Sequence, residues 1–595
     1  MKKYSSSNVY ENRIKYGAFD VETRGLGGDL LSISYGTEDS EIVFDDSPDM
    51  IPRFIDYISN YSKPYIWYAH NAQYDWRYII PYLLKNDYHL EFNLRSERDI
   101  FEIKIILFDD ESKIKSKKII MRDSYAIWPF SLKELALKFS PDFLKKEIDI
   151  KNFDAKNLDH IKYAKRDVEI LLHALPNLNK NLKKIFSVAF SGTVAGTALR
   201  AWQKTIPRKK YYDSFKSGTI EDFIRKGYYG GLVFLTDTHV HKNCYTYDIN
   251  SSYPFSMLEF GVPYGKIRKT DTYDNRKMGM FRACVTAPPK LQIPILASRD
   301  EKGRMRWRGG TFEGVFTSSE LIFASKHGYS INEIYEGYEW NQICFPFENF
   351  ISHCRDIRRQ NKGQPLEILA KLMQNSLYGK FGVKRERPEI LVNDGNTNSL
   401  IGAIPYDDEG YLYVIKKYYD DMLCAPHWAA FITAHARIRL LHTIYSVVGV
   451  EHTIYGDTDS ITVDSDTYPI PCSDAYGDFK LEKKWESFQA LAPKFYIGKL
   501  QGGEIKITAK GIPKNYEKIS EIDSVSVDNI NKISILYNNI SKNLNTTVKY
   551  ESLSSLCVAL KDKKVASSYM AKRTTSDLKN SLNFISLEGK VYVKS

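Results

Sequence analysis

The sequence predicts an α/β protein made of several domains. The chain has 595 residues, 43% of them hydrophobic and 26% charged, and that length exceeds what one hydrophobic core can organise. Residues 1 to about 185 alternate between strand-like and helix-like segments. Two sets of acidic residues, one within this stretch and one after it, indicate two separate sites of chemistry.

Charge and cysteine content restrict the class of protein. The net charge is +11, and residues 541–595 contribute +6 of it, with ten Lys and Arg against four Asp and Glu. This surplus fits a nucleic-acid partner, although a solvated lysine-rich surface has the same composition. The seven cysteines include no CxxC pair, which indicates a reducing compartment and no structural zinc site. No stretch reaches the about 18 apolar residues of a membrane span, and the first 20 residues lack the apolar core of a secretory signal.

The first acidic set begins in a strand near the start of the chain. Residues 16–23 read as a strand in which Asp20 and Glu22, two residues apart, project from one face. Taken alone, this pair is better explained by a half-exposed strand with polar alternate positions.

Two later segments add to this set. Asn71 and Asp75 follow an apolar run at residues 65–68, and Tyr163 and Asp167 share one face of a helix-like stretch. Four carboxylates and a tyrosine match the needs of a two-metal phosphodiester hydrolase, in which carboxylates hold two ions about 3.5–4 Å apart. The first set therefore indicates hydrolysis of a phosphodiester.

The second acidic set lies further along the chain. A strand-like run ends in Asp248 and a turn, and a hairpin over residues 452–461 places Asp457 and Asp459 at its tip. In isolation, the Gly-Asp-Thr-Asp tip is better explained as a surface turn.

Two helices are predicted between these motifs, over residues 350–381, because Gly and Pro in the segment 361–365 end one helix and start another. Lys371, Asn375 and Tyr378 then share one face of the second helix. A solvated lysine and a core tyrosine are the ordinary alternatives for this face.

Six short motifs occur in this order along the chain: FDVET, NAQYD, YAKRD, DINSSYP, KLMQNSLYG and YGDTDS. The first three resemble the exonuclease motifs of proofreading family B DNA polymerases, and the last three resemble polymerase motifs A, B and C of that family. The resemblance implies a ribonuclease-H-like exonuclease domain followed by a right-hand polymerase domain of palm, fingers and thumb. It also implies Mg²⁺ or Mn²⁺ as the cofactor, with two ions in each active site.

The resemblance assigns roles to the first acidic set. It implies that Tyr163 orients the attacking water and that four carboxylates bind metal, namely Asp20, Glu22, Asp75 and Asp167. Lys145 resembles the exonuclease lysine of protein-primed members, although a solvated lysine fits this position as well. Asn71, Ser131 and Leu132 resemble residues that those members use on single-stranded DNA.

In the second set, the resemblance implies that Asp248, Asp459 and the Ile249 carbonyl hold both metals and that Asp457 supports them. The residues implied to bind the incoming nucleotide are Tyr253, Lys371, Asn375, Tyr378 and Arg359. Tyr253 is expected under the sugar, where it excludes a 2′-OH, and Arg359 has a solvated surface arginine as its alternative. Ser252 stands where the family has leucine, a change expected to alter packing rather than catalysis.

Two further motifs are implied to contact DNA. Lys494 and Tyr496 resemble the Lys-x-Tyr pair that grips the primer terminus, and strand spacing predicts both on one face. Tyr228, Gly230 and Gly231 resemble the Tyr-x-Gly-Gly element that couples the two active sites.

Two long spacers favour the protein-primed branch of the family, found in small Bacillus phages and linear plasmids. More than 100 residues separate Pro254 from Lys371, and more than 75 separate Gly379 from Asp457. In that branch the first insertion docks the terminal protein, and the second closes around the template for processivity and strand displacement. The predicted domains are exonuclease 1–185, palm 186–261, first insertion 262–345, fingers 346–381, second insertion 382–424 with turn-rich segments at 393–399 and 407–410, palm 425–525 and thumb 526–595.

The expected activity is replication of a linear viral or plasmid genome by a monomeric enzyme in the host cytoplasm. Its expected partners are template and primer DNA, deoxynucleoside triphosphates and a terminal protein, and no membrane. Three alternatives stay open: a conventional RNA-primed or repair family B polymerase, a nuclease alone, and a catalytically silent DNA-binding protein. The complete set of carboxylates argues against the last, and an absence of nucleotide incorporation would reveal the second.

Overall fold

The computed structural model describes most of residues 15–509, together with residues 585 and 586. Gaps in this description fall at residues 25–27, 62–64, 97–98, 109–114, 147, 149–151, 207–217, 290, 292, 302, 393–402, 406–411 and 420–423. The turn-rich segments predicted at 393–399 and 407–410 lie outside the described residues, as does nearly all of the thumb predicted at 526–595. Within the described ranges, no helix has the length and apolar character needed to cross a membrane.

A mixed seven-stranded sheet with helices on both faces forms the first domain. Its strands are β1 (Lys15–Thr23), β2 (Leu30–Thr37), β3 (Val43–Asp45), β4 (Tyr65–Ala69), β5 (His89–Ser96), β6 (Asp99–Phe108) and β7 (Lys115–Asp123). Its helices are α1 (Met50–Asn60), α2 (Gln73–Lys85), α3 (Leu132–Phe139) and α4 (Leu158–Phe186). The strand order is β3-β2-β1-β4-β7-β6-β5, in which β1, β4 and β7 are parallel and the other neighbours are antiparallel.

Alternation along β1 sends neighbouring side chains into two different cores. Phe19 packs on the side of α1, and Ala18 packs on the side of α4. Both faces of the sheet are therefore covered, as its parallel central strands require. Asp20 and Glu22 share the side of the strand that Ala18 occupies, and this places them towards α4.

The next part of the chain leads into a small antiparallel domain. The leading elements are α5 (Val194–Thr205), α6 (Thr219–Lys226), β8 (Val233–Leu235), β9 (His241–Ile249) and α7 (Ser252–Glu259). They are followed by β10 (Val262–Thr270), β11 (Gly279–Thr286), β12 (Ala297–Arg299), β13 (Met305–Trp307), β14 (Thr311–Thr317), α8 (Ser318–Lys326) and β15 (Ser330–Cys344). Strands β10, β15, β11 and β14 form one sheet in that order, and β12 pairs with β13. These elements occupy the span assigned to the first insertion.

A helix pair and a second small sheet come next. The elements are α9 (Glu348–Gln360), α10 (Pro365–Leu377), β16 (Glu386–Val392), β17 (Ile404–Pro405), β18 (Leu412–Tyr418) and α11 (Pro426–Thr443). The predicted pair of helices is confirmed, with Gly363 in a left-handed conformation and Pro365 in the first turn of α10. The small sheet has the order β16-β18-β17, and its Ile390 and Leu412 are buried in the core of the first domain.

An eight-stranded antiparallel sheet carries the second acidic set. Its remaining strands are β19 (Thr453–Asp457), β20 (Ser460–Val463), β21 (Phe479–Ala492), β22 (Phe495–Leu500), β23 (Ile505–Ala509) and β24 (Ile585–Ser586). The strand order is β23-β22-β21-β9-β20-β19-β8-β24. Ser460 pairs with Asp248 on one side and with Asp457 on the other. This register brings the aspartates of β9 and of the β19–β20 hairpin together.

Candidate active sites

The first acidic cluster lies between β1, α2 and α4. Asp20 and Glu22 project from β1, Asp75 lies in the first turn of α2, and Asp167 lies on α4. The backbone N–H of Val21 donates to Asp75 Oδ1 at 3.1 Å and ties the helix to the strand. Four carboxylates that are far apart in sequence therefore meet at one place.

A left-handed turn between β4 and α2 delivers Asp75 to this cluster. Asn71 has a φ of 63°, a conformation that asparagine tolerates better than most residues. Its backbone N–H donates to the buried Asp123 Oδ1 at 2.9 Å, and His70 Nδ1 lies 2.9 Å from Ser124 Oγ. These bonds attach the turn to the end of β7 and hold the start of α2 in place.

Burial raises the pKa values of all four carboxyls, and repulsion from neighbouring acids adds to this for Asp20, Glu22 and Asp75. Burial, followed by the charge of Asp167, raises the pKa of Asp20 to about 8. Burial, followed by the charges of Asp20 and Asp167, raises the pKa of Glu22 to about 9. Burial and then Asp20 raise the pKa of Asp75 well above its usual range, and burial raises that of Asp167. Ionisation of these carboxyls is therefore unfavourable unless a cation compensates for the lost contact with water.

The chemistry of this cluster fits a divalent cation. Glu22 Oε1 and Asp167 Oδ1 are buried and have no hydrogen-bond partner within the described part of the chain. Hard cations such as Mg²⁺ take oxygen ligands of this kind. As the side chains stand, no three His, Cys, Asp or Glu residues in the described ranges are arranged to hold an ion.

Lys145 is the counter-charge of this cluster. Its ammonium group forms an ion pair with Asp167 Oδ2 and lies 5.6 Å from the centre of the Tyr163 ring. The surface-lysine alternative is therefore wrong for the described structure. Lys145 instead joins the tyrosine and one carboxylate of the cluster.

The second acidic cluster lies on the eight-stranded sheet. The backbone N–H of Ile249 donates to the Asp459 carbonyl at 2.8 Å, which attaches the end of β9 to the hairpin tip. Burial and then Asp459 raise the pKa of Asp248 to about 7. Burial and then Asp457 raise the pKa of Asp459 to about 6. Asp457 and Asp459 are thus partly buried at this tip rather than fully solvated.

The Tyr-x-Gly-Gly segment, residues 228–231, packs against the tip of the β19–β20 hairpin. Thr458 has a φ of 64°, and its N–H donates to the Leu232 carbonyl at 2.7 Å. A Cβ on Gly231 would lie 2.8 Å from the Thr458 side chain, so only glycine permits this approach. Arg437 donates to the carbonyls of Tyr229 and Gly230, both at 2.7 Å. The geometry of the tip therefore depends on this segment.

Two tyrosines form an aromatic platform next to the second cluster. The rings of Tyr253 and Tyr378 stack with centroids 4.2 Å apart and planes at 19°. On α10, Lys371 and Asn375 are exposed on the same side of the helix, and the charge of Lys371 acts to lower the pKa of Asp248 after burial and nearby acids have raised it. Ser252 is buried, and its carbonyl accepts a hydrogen bond from Ser256 Oγ at 3.0 Å, in keeping with a packing role.

Arg358 is a residue that the sequence did not indicate. It donates to Ser251 Oγ at 2.8 Å and to Tyr476 Oη at 3.0 Å, whereas Arg359 is 77% exposed and pairs with Asp356 at 3.3 Å. Adjacent arginines on a helix point in different directions, and their spacing alone cannot tell which one faces the site.

Two more residues around this turn were not indicated either. The buried Gln374 donates to Ser251 Oγ at 3.2 Å and accepts from Tyr476 Oη at 2.7 Å. Glu482 on β21 lies close enough to raise the pKa values of Asp248 and Asp459, after burial and the nearer aspartates.

Lys494 and Tyr496 reach the second cluster in an unexpected way. The strand spacing predicted for them is wrong, because Lys494 lies in the turn between β21 and β22 with a φ of 61°. Its ammonium group contacts both carboxylate oxygens of Asp457, with Oδ2 at 2.6 Å, and its N–H donates to Tyr455 Oη at 2.8 Å. The Tyr496 ring lies 5.5 Å from that of Tyr455. Tyr455, rather than a shared strand face, joins the two residues.

Comparisons with known proteins agree on one family. The family model for DNA polymerase type B, organellar and viral, matches residues 157–402. A probable DNA polymerase of Neurospora intermedia is 28% identical over 379 residues, covering 59% of this chain and 38% of that protein. The DNA polymerase of Bacillus phage M2 is 26% identical over 478 residues, covering 72% of this chain and 77% of that protein. The chain thus spans well under half of the fungal relative and about three quarters of the phage one.

A solved structure extends the comparison to the fold. Phi29 DNA polymerase complexed with primer-template DNA and incoming nucleotide substrates matches with a TM-score of 0.69 and 20% identity, covering 85% of this chain and 93% of that one. The chain is thus similar to the type B DNA polymerases of the organellar and viral family over residues 157–402, and it has the fold of phi29 DNA polymerase. The predicted fold class is confirmed, and members of the family use divalent metal ions.

Two residues expected to contact single-stranded DNA have structural partners in this polymerase. Ser131 caps α3, where its Oγ accepts from the N–H of Glu134 at 3.2 Å and the Glu134 carboxylate bonds back. Leu132 is buried, with 7% of its surface exposed, in the core beside α4. The cap and the core contact position this corner, and the DNA-binding role stays a prediction.

Proposed function

We propose that this polymerase copies a DNA template and also removes 3′-terminal nucleotides, each at its own acidic cluster. The observation that carries the proposal is the presence of two carboxylate clusters on different sheets, each with raised pKa values. Residues 425–525 and 186–261 supply the polymerase cluster, and residues 1–185 supply the 3′→5′ exonuclease cluster.

In the polymerase cluster, Asp248, Asp459 and the Ile249 carbonyl would hold two Mg²⁺ or Mn²⁺ ions, with Asp457 in support. The ions supply activation of the primer hydroxyl and neutralisation of the triphosphate. Lys494, which forms an ion pair with Asp457, would contact the primer terminus.

The incoming nucleotide is proposed to lie over the aromatic platform. Tyr253, stacked on Tyr378, forms the floor under the sugar and leaves no room for a 2′-OH. Lys371, Asn375 and Arg359 approach the triphosphate from the two finger helices, and the contact of Arg358 with Ser251 orders the turn beneath it.

In the exonuclease cluster, Asp20, Glu22, Asp75 and Asp167 are the proposed metal ligands, also for two ions. Tyr163 orients the attacking water, and Lys145 keeps Asp167 in place through their ion pair. Tyr228, Gly230, Gly231 and Asn71 would guide the DNA strand between the two clusters.

The proposed biological role is protein-primed replication of a linear viral or plasmid genome in the host cytoplasm, by a monomer. Residues 262–345 would dock a terminal protein, and residues 382–424 would close around the template for processivity and strand displacement. The long alignments with Bacillus phage DNA polymerases, over 72–76% of this chain, support this branch. A conventional RNA-primed or repair polymerase is the alternative.

Deletion of residues 393–411, at the tip of the second insertion, tests this role. The deletion should leave short gap filling intact but abolish long displacement products, because each unpairing step costs about 1–2 kcal/mol. The assay is extension from a nicked, singly primed circle under a heparin trap. Full-length, trap-resistant products from the deletion variant would favour the conventional alternative.

A further inference from the structure

A buried ionic cluster lies where the second insertion leaves and rejoins the rest of the chain. Its members are Glu221 and Arg225 of α6, Arg385 just before β16, and Cys424 just before α11. Glu221, Arg385 and Cys424 are each at most 5% exposed. We call these four residues the neck cluster.

Glu221 is the centre of the neck cluster. Its Oε1 accepts from Arg225 Nη2 at 2.6 Å, and its Oε2 accepts from Arg385 Nε at 2.8 Å. The carboxylate therefore joins a helix outside the second insertion to the first residues inside it. Although burial opposes ionisation, Arg385 and Arg225 hold the pKa of Glu221 below its usual range.

Arg225 extends the attachment to both ends of the insertion. It donates to the carbonyls of Gly382 at 3.0 Å and Val383 at 2.8 Å, which begin the insertion. It also contacts Cys424 Sγ at 2.9 Å, at the end of the insertion. A backbone bond from Ala425 N to the Phe381 carbonyl, at 2.9 Å, closes the base of the neck.

The neck cluster is also close to the support of the polymerase site. Helix α6 runs directly into the Tyr-x-Gly-Gly segment that holds the Thr458 tip. A Cβ on Gly382 would lie 2.5 Å from the ring of Tyr228, so the start of the insertion packs on this segment. One short stretch of chain therefore contacts both the insertion and the acidic hairpin.

The other attachment of the second insertion is apolar. Ile390 and Leu412 enter the core of the first domain, and β16 lies against the edge strand β5. Apolar contacts have no preferred direction, whereas forked hydrogen bonds from arginine have a fixed one. The neck cluster is thus the contact that can set the angle of the insertion.

We propose that Glu221, with Arg225 and Arg385, positions the second insertion relative to the polymerase site, and that strand displacement depends on this positioning. The inference rests on the proposed role of the insertion in strand displacement. Glu221, Arg225 and Arg385 are positioning residues, and none of them is expected to touch the reacting atoms.

The test compares Glu221→Gln with the wild-type enzyme in two assays, filling of a short gap and displacement from a nicked circle under a heparin trap. We expect the displacement length to fall about tenfold while the rate of gap filling is unchanged. Arg385→Lys keeps the charge but loses the Nε–H that donates to Glu221, so it should produce a smaller fall in the same assay. If Glu221→Gln does not fold, Arg385→Lys tests the positioning role in its place.

Glu389→Gln is the matched control. It removes an ion pair of 3.3 Å with Lys417, inside the same insertion but away from the neck, and should change neither assay. An equal loss in both assays for the neck variants, or no loss in either, overturns the inference. If the 393–411 deletion also leaves displacement intact, the proposed role of the insertion fails as well. If the deletion impairs displacement but the neck variants do not, the positioning role of Glu221 is disproved and the proposed role of the insertion stands.

Discussion

The two acidic clusters, proposed here as two metal sites, lie in different surroundings. In the exonuclease cluster, Glu22, Asp75 and Asp167 are 7%, 3% and 5% exposed. In the polymerase cluster, Asp248 and Asp459 are only partly buried. Asp20 is partly buried as well. The pKa values are about 8 and 9 for Asp20 and Glu22 against about 7 and 6 for Asp248 and Asp459.

The difference fits what each proposed site would have to admit. An exonuclease receives one strand end between a sheet and a helix, and it can be narrow and dry. A polymerase receives a duplex and a triphosphate, so its aspartates lie on an open sheet next to a hairpin tip. Both clusters pair one carboxylate with a lysine, Lys145 with Asp167 and Lys494 with Asp457.

The strongest test of two independent sites is their separation by mutation. Asp20→Ala with Glu22→Ala should lower 3′→5′ degradation by more than about 100-fold and leave primer extension intact, because loss of a metal ligand exceeds the loss of its supporting contacts. Asp459→Ala should do the reverse. Both activities are measured on one end-labelled primer-template, and a folded variant that loses both would disprove the assignment to two sites.

Substitution of the two lysines should also affect one activity each, but with smaller effects. Lys145→Ala should slow degradation alone, and Lys494→Ala should slow extension alone, by about 10–100-fold each, because each removes a partner of one carboxylate. Single-turnover rates on matched substrates measure this. Lys146→Ala, at an exposed neighbour of Lys145, is the control and should have no effect.

Tyr253→Val should change sugar selectivity at the proposed polymerase site and leave the other site unaffected. Loss of the ring opens space under the sugar and should raise ribonucleotide incorporation relative to deoxynucleotide by about tenfold. Incorporation of each nucleotide opposite one template base gives the ratio. Degradation should not change, and an unaltered ratio would leave Tyr253 as a packing residue.

The smallest expected effect is on stability without metal. The pKa values of Asp20 and Glu22 rise from 3.8 to about 8 and from 4.5 to about 9 on folding. Folding therefore binds protons, and the stability of the metal-free protein falls as the pH rises through this window. In EDTA at pH 8, Asp20→Asn with Glu22→Gln should raise the melting temperature by about 2–4 °C. Asp248→Asn with Asp459→Asn should raise it less, and the reverse ranking would contradict the burial comparison.

Much of the fold and of both clusters was predictable from local patterns. The spacing of Asp20 and Glu22 on a strand, and of Tyr163 and Asp167 on a helix, reports a shared face directly. The same reasoning failed for Lys494, because a positive φ places it in a turn that strand spacing cannot indicate. The thumb and the tip of the second insertion lie outside the residues that the structure describes.

The sequence by itself determined the local faces that the candidate residues share, because periodicity and turn composition act over a few residues. Only the tertiary structure decided which groups meet across long separations. Arg358, not Arg359, reaches Ser251 from 107 residues away, and Glu221 reaches Arg385 from 164 residues away. These contacts depend on how helices and sheets pack, and packing is set by the summed burial of many side chains rather than by any single motif.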